Sequence, residues 1–294
     1  MYKALIKTLR PRQWPKNMFI MAAVIFDRQL SLSNPVPLIR TLIGFALFCL
    51  LSSAVYILND LMDIEADRLH PTKKNRPIAA GQLPIPVAIA AEVVLLLIVF
   101  PASYALSTGF FITALAYFVT NVAYSFWLKH IPLIDVLVLA SGFVLRVVAG
   151  VMIIHVERFS PWLYVVTTLL ALYIGFGKRR AELTILDGNS TSQRKVLEGY
   201  NIPLLDQLIT VVSSSTVLAY SLYTFSAPNL PGDHTMMLTI PFVLYGVFRY
   251  LYLIQVQHEG GAPEELLLSD RPLQITILLY GLAILLIIYL APRF

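Results

Sequence analysis

A chain of 294 residues that is 57% hydrophobic and only 13% charged carries about half the roughly 25% charge of a soluble domain, which excludes a water-soluble globule. The mean hydropathy of +0.73 predicts an all-α, polytopic membrane protein. The net charge of +5 comes from bases that flank apolar segments, which marks membrane orientation rather than nucleic-acid binding. The single cysteine, Cys49, lies inside an apolar run, so no disulfide framework exists. The five histidines show no metal-binding spacing.

In chain order, residues 2–10 predict a short amphipathic helix ended by Pro11. Tyr2, Leu5, Ile6 and Leu9 form one face, and Lys3, Lys7 and Arg10 the other. Such a segment can lie in the interface beside anionic lipid; a frayed basic tail is the alternative. Met1–Arg10 lacks the continuous apolar core of a cleavable signal peptide. Nine spans of about 20 residues are then expected, at 14–30, 38–58, 86–106, 109–127, 132–153, 161–177, 205–226, 236–255 and 273–291. The first has the shortest apolar core, with Asp27 and Arg28 near its end. Ser107-Thr108-Gly109 signals a tight turn between the third and fourth.

Most of the 22 Lys and Arg residues fall on one side of this layout. Arg28, Arg40, Arg158 and Arg293 fall on the other, and Arg146 falls within a span. The excess predicts a cytoplasmic N-terminus and places every long polar loop on the cytoplasmic side.

The richest polar stretch follows the second span directly. Asn59, Asp60, Asp63 and Asp67 precede His70, Pro71, Thr72, Lys73, Lys74, Arg76 and Pro77. On a helix turning about 100° per residue, Asn59, Asp63, Asp67 and Asp60 fall at roughly 0°, 40°, 80° and 100°, and Glu65 falls near 240°. Four oxygen-bearing side chains thus share one face. Clustered hard oxygens suit Mg²⁺, which keeps some waters and bridges to substrate phosphates. Lys73, Lys74 and Arg76 suit the phosphates. A solvated loop whose charges cancel is the bland alternative. Tyr56, one turn before Asn59, would point into the same cavity or serve as an interfacial tyrosine.

Further polar groups collect at other span ends. Lys16 and Asn17 stand just inside the first span, after Arg10, Arg12 and the interface anchor Trp14. Tyr124, Ser125 and Lys129 end the fourth span, and Asp135 starts the fifth. Arg146 lies mid-span, where insertion costs at least ~2.5–3.5 kcal/mol, so it should face a partner or an anionic ligand. Lys178, Arg179, Arg180 and Glu182 follow Gly175-Phe176-Gly177. They read equally as a positive-inside anchor and as a receiver of phosphate oxygens. The loop from Gly260 to Pro272 resembles a lid before the ninth span.

The Asn-Asp-x-x-Asp-x-x-x-Asp pattern after the second of nine spans resembles the UbiA superfamily of intramembrane prenyltransferases. The runs Arg10 to Asn17, His70 to Gly81 and Lys178 to Glu182 are similar to its decaprenyl-phosphate phosphoribosyltransferase branch. The resemblance covers the whole chain and implies one UbiA-like transmembrane domain over 1–294, with a cytoplasm-facing polar site in the cell membrane. It also implies Mg²⁺, phosphoribosyl diphosphate (PRPP), a polyprenyl phosphate acceptor and a role in cell-wall arabinan precursor synthesis; homo-oligomerisation stays open. In the usual members a second aspartate-rich motif follows the sixth span. Here Lys178-Arg179-Arg180-Ala181-Glu182 stands there, which fits one metal-held diphosphate and one monophosphate held by bases.

In that scheme Asn59 and Asp63, helped by Asp60 and Asp67, hold the metal. Asp63, Lys73, Lys129, Arg146 and Lys178 are the expected catalytic groups. Lys16, Asn17, Tyr56, Asp60, Asp67, Lys74, Arg76, Tyr124, Asp135, Arg179, Arg180 and Glu182 are expected to bind substrate. The alternatives are a conventional prenyltransferase acting on an aromatic or glycerophosphate acceptor, and a transporter for a phosphorylated solute. Against the transporter, the polar residues crowd one side of the membrane and no paired broken helices are visible.

Overall fold

The computed structural model describes residues 1–31, 33–69, 73–156, 160–186, 195–228, 230–257, 259, 266 and 269–290. Among the described residues every regular element is helical. Apart from five short 3₁₀ or π segments, these are in order α1 (Tyr2–Leu9), a 3₁₀ segment (Pro11–Met21), α2 (Ala22–Phe26), α3 (Val36–Met62), α4 (Ile64–Leu69), α5 (Ile85–Leu106), α6 (Thr108–Phe126), α7 (Ile134–Ile153), α8 (Pro161–Leu186), α9 (Ile202–Ser226), α10 (Ile240–Gln255) and α11 (Arg271–Leu285).

Seven helical stretches are long and apolar enough to cross a membrane: α3, α5, α6, α7, α9, Thr235–Gln255 and Arg271–Tyr289. Two expected spans take other forms. The segment at 14–30 begins as a 3₁₀ run containing Pro11 and Pro15. Proline lacks the amide that an α-helical ladder needs, and the α-helix that follows, α2, has five residues. The segment at 161–177 lies within α8, which is 26 residues long but carries Lys178, Arg179, Arg180 and Glu182 in its last third. The loop from Gly260 to Pro272 falls mainly outside the described residues, as do His70, Pro71 and Thr72.

The chain divides into two compact units. The first comprises Met1–Ile25, Gln29–Val138 and Leu145–Val156, and the second Phe26–Arg28, Leu139–Val144 and Glu157–Phe294. In the first, α3 is the central helix: 61% of its apolar window is buried, against 11% for α5. Apolar side chains around most of α5 suit contact with lipid. Phe48, Leu51 and Val55 of α3 pack in one core with Ile20, Val24, Phe110, Ala114, Tyr117 and Ala149. A Cβ on Gly150 would lie 2.1 Å from the Ile20 carbonyl oxygen, so only glycine lets α7 meet the 3₁₀ backbone there. The α5–α6 turn is fixed by Ser107, which caps α6 and whose hydroxyl donates to the Met152 carbonyl at 2.7 Å. Arg40, near the start of α3, donates to the carbonyls of Ile153 (3.2 Å) and Leu106 (2.5 Å).

In the second unit α8 packs along α9, and the Tyr173 hydroxyl of α8 donates to the Val247 carbonyl of α10 at 2.7 Å. Asp270 caps α11 by accepting from the Leu273 amide at 2.9 Å. The same carboxylate takes both Nε (3.2 Å) and Nη2 (2.7 Å) of Arg249.

Candidate active site

The polar end of α3 organises the first unit's site. The helix stops at Met62, and Asp63 leaves helical geometry at φ −99°, ψ 10°. Its amide still donates to the Asn59 carbonyl (3.0 Å), and its carbonyl accepts from the Asp67 amide (2.7 Å). The single face expected across residues 59–67 is therefore broken at Asp63, and the four oxygen-bearing side chains divide into two sets.

Asp60 and Asp67, both buried, form the first set. Arg76 Nη1 donates to Asp60 Oδ1 (3.1 Å) and Asp67 Oδ2 (2.6 Å). Arg10 Nη2 donates to the same Asp60 oxygen at 2.5 Å. The Arg10 guanidinium also lies 4.8 Å from the Tyr56 ring centroid, a cation–π contact. Two arginines and two aspartates thus balance in charge, as buried carboxylates require. Pro77 and Ile78 behind them are buried. Gly81, at φ +70°, turns the chain back toward α5 in the left-handed region that favours glycine.

Asn59 and Asp63 form the second set. The Ser125 hydroxyl of α6 donates to Asn59 Oδ1. Lys129 Nζ, one turn on, donates to Asp63 Oδ1 at 2.6 Å. Each of these bonds joins residues 66 apart in sequence, so α3 and α6 run side by side in the same direction. Asp63, 31% exposed, is the open one of the three aspartates.

Among the described residues no group of three or more His, Cys, Asp or Glu side chains is placed to hold a metal ion. The donor chemistry nevertheless fits a hard cation. Asn59 and Asp63 offer two oxygens a turn apart, and Mg²⁺ commonly takes one or two protein ligands, completing its shell with water and phosphate.

Below this end lies a buried network. Arg146 Nε donates to Asn17 Oδ1 (2.7 Å), and its Nη2 donates to the Tyr117 hydroxyl (2.9 Å). The guanidinium sits 4.9 Å from the Tyr117 ring centroid. Asn17 Nδ2 donates in turn to Ser52 Oγ and Cys49 Sγ, each at 3.2 Å. The mid-span arginine thus has protein partners from the 3₁₀ segment and α6. Lys16, Tyr56, Lys73 and Tyr124 are half-buried, Lys74 is exposed, and Asp135 is buried in the first turn of α7.

The remaining expected residues belong to the second unit. Arg179, buried, donates to Glu182 Oε2 at 2.6 Å. Arg180 Nε donates to Asp206 Oδ1 (2.5 Å), and its Nη1 to the Ile254 carbonyl (3.3 Å). Lys178 is half-buried beside them. Arg179 and Arg180 are thus engaged by acids.

Arg10, Ser125 and Tyr117 take part in these networks without having been expected as site residues. Arg10 carried a faint signal, a base directly before Pro11. Tyr117 carried none beyond the need of Arg146 for a partner.

The UbiA prenyltransferase family profile matches residues 18–268. A decaprenyl-phosphate phosphoribosyltransferase of Corynebacterium glutamicum is 34% identical over 295 residues, spanning 99% of this chain and 88% of the relative. One from Mycolicibacterium smegmatis is 33% identical, spanning 93% and 89%. In fold the chain is similar to a UbiA homolog from Archaeoglobus fulgidus solved with GPP and Mg²⁺, with TM-score 0.73, 19% identity and coverage of 97% and 99%. It is also similar to the same homolog solved with Cd²⁺, with TM-score 0.69, 16% identity and coverage of 97% and 99%. From the match over most of its length, the chain belongs to the UbiA prenyltransferase family.

Proposed function

We propose that this protein is a Mg²⁺-dependent phosphoribosyltransferase that moves 5-phosphoribose from PRPP to a polyprenyl phosphate and releases diphosphate. One observation carries the reading beyond kinship: Asn59 and Asp63 form an open pair of hard oxygens against Ser125 and Lys129. Asp60 and Asp67, beside them, are engaged by Arg10 and Arg76.

Mg²⁺ held by Asn59 and Asp63 would neutralise the diphosphate leaving group when bound. Lys129, now on Asp63, is long enough to turn its ammonium to a phosphate oxygen, and Lys73 adds a second cation from the loop after α4. Asp60 and Asp67 hold the two arginines in place and shape the floor of the site. The acceptor phosphate is already an anion, so its oxygen attacks the anomeric carbon without a general base. The bond from that carbon to the diphosphate oxygen breaks as the new C–O bond forms. Arg146 is a positioning residue in this scheme, fixing Asn17 and Tyr117. Most of the rate effect then comes from orientation and fixed charge. Lys178 and its neighbours supply the bases for the second phosphate.

The same proposal includes nine spans in one domain over 1–294, with the N-terminus and the site on the cytoplasmic side of the cell membrane. The first and sixth crossings are then the 3₁₀–α2 segment and α8. The product would serve cell-wall arabinan synthesis, the role that the resemblance in sequence implies.

The test is product analysis in detergent, using purified protein, labelled PRPP and a series of polyprenyl phosphates. Diphosphate release with formation of a phosphoribosylated lipid is expected. Consumption of a prenyl diphosphate with an aromatic or glycerophosphate acceptor would replace this reading with a conventional prenyltransferase. Turnover without any gradient separates either enzyme from a transporter.

A further inference from the structure

The acidic end of α3 is flanked by the amino-terminal helix α1, whose two faces differ in kind. The inner face is built from small side chains. Ala4 and Thr8 are buried, and Ala4 clusters with Ile57, Ile78, Leu83 and Ala88, with Leu5 and Leu9 alongside. Ile57 lies in the last two turns of α3, and Ala88 in the first turn of α5. The helix therefore lies beside the ends of two membrane-length helices, where bilayer meets water.

The outer face carries Tyr2 and Ile6, one turn apart, 79% and 58% exposed. Exposed Lys3 and Lys7 flank them. Lipid-facing positions on α5, such as Val94 and Leu97, are apolar without charge; α1 instead interleaves apolar groups with cations. From Met1 to Phe26 the bases are Lys3, Lys7, Arg10, Arg12 and Lys16, with no Asp or Glu. Water alone gives no reason for exposed Tyr2 and Ile6, and hydrocarbon gives none for the lysines. The combination matches the headgroup layer of an anionic bilayer.

The same helix is tied to the site. Lys7 Nζ donates to the Asn75 carbonyl at 3.2 Å, next to Arg76. Ser53 Oγ donates to the Leu9 carbonyl at 2.8 Å and accepts from Trp14 Nε1 at 3.1 Å. Arg10 sits between helix and 3₁₀ segment at φ 52°, ψ 58°, a left-handed conformation that a non-glycine keeps only when its surroundings hold it. From there it reaches Asp60.

Resting on the functional reading above, we propose that α1 is a docking surface for anionic lipid. Its seating on the bilayer holds Arg10 on Asp60, so that turnover rises with the negative charge of the surrounding membrane.

The experiment uses the full chain in nanodiscs, with the amount of polyprenyl phosphate held constant. The single native cysteine, Cys49, is buried, so Ile6→Cys carrying an environment-sensitive fluorophore reports on α1. Emission is expected to shift to the blue in discs containing phosphatidylglycerol compared with pure phosphatidylcholine, and added salt should reverse the shift. Inorganic phosphate at the same ionic strength should do no more than salt. Lys3→Gln, at an exposed position, should weaken the shift and cut the phosphatidylglycerol stimulation of diphosphate release by about five-fold, the worth of one base near such a surface. Equal emission in both disc types overturns the docking surface. A blue shift with no change in turnover overturns the coupling to Arg10. Absence of turnover in every lipid would instead count against the functional reading, while the fluorescence still decides the docking.

Discussion

The two ends of α3 are both rimmed by charge and handle it in opposite ways. At the amino-terminal end Arg40 donates to the carbonyls of Ile153 and Leu106, the last residues of α7 and α5. One cation thus satisfies the ends of two helices, where orphan carbonyls and the negative end of the dipole favour it. At the carboxy-terminal end side chains meet side chains: Arg10 and Arg76 on Asp60 and Asp67, Lys129 on Asp63, and Ser125 on Asn59. A carbonyl in a helix cannot change place, whereas a lysine on an open carboxylate can exchange it for a ligand. Charge at a membrane edge is therefore no sign of a site by itself; what answers that charge decides.

The contrast breaks most sharply at Asp63. Asp63→Ala should lower diphosphate release by at least about a hundred-fold, the scale of losing one preorganised electrostatic contact, with little change in thermal midpoint. Near-normal release would remove Asp63 from the mechanism. Next, Arg76→Met leaves the buried Asp60 and Asp67 with one base fewer. Stability should fall by about 2–3 kcal/mol, below the 3–5 typical of a broken buried pair because Arg76 is partly exposed. Denaturation of the variant in detergent measures it, and an unchanged midpoint would mean the cluster is not held by charge. Arg40→Ala should cost about 1.5–2 kcal/mol through its lost hydrogen bonds, with KM for PRPP unchanged in the protein that remains folded. A shift in KM would blur the distinction between the two ends, and Lys178→Ala should harm turnover per folded molecule more than Arg40→Ala does.

The smallest effect belongs to the second unit. The hydrogen bond from Arg249, aided by the Leu273 amide, holds the Asp270 carboxyl below the ordinary value of 3.8 despite partial burial. A carboxylate lowered by folding stabilises the folded state above its unfolded value, and that contribution is lost as pH falls through the lower folded value. The thermal midpoint of the native chain should therefore fall below about pH 4 by slightly more than that of Asp270→Asn. Parallel profiles would show that the Arg249 pair adds nothing.

Much of this was legible in the amino-acid order. Apolar runs gave α3, α5, α6, α7 and α9 within a few residues, because hydropathy and length alone decide a membrane helix. The acidic motif marked the right end of α3. The division of its acids was not legible, because it depends on one backbone departure at Asp63 and on Arg10 returning from 50 residues away. Helical periodicity sees neither. Arg146 announced that it needed company, but Tyr117 and Asn17, the groups that answer it, look ordinary in sequence. In sequence the bases at the end of α8 are equally fit to anchor or to bind. Arg179 on Glu182 and Arg180 on Asp206 show that neighbouring acids compete for them, which a count of positive charge cannot reveal.

The parallel course of α3 and α6 has an electrostatic corollary. Both helices end beside the candidate site, so it faces the carbonyl ends of two long helices, whereas many phosphate pockets are lined by the amides of a helix start. A polyanion arriving here meets backbone dipoles of the wrong sign. Only mobile ammonium groups, guanidinium groups and a divalent ion can reverse that field, which makes occupancy steeply sensitive to ionic strength.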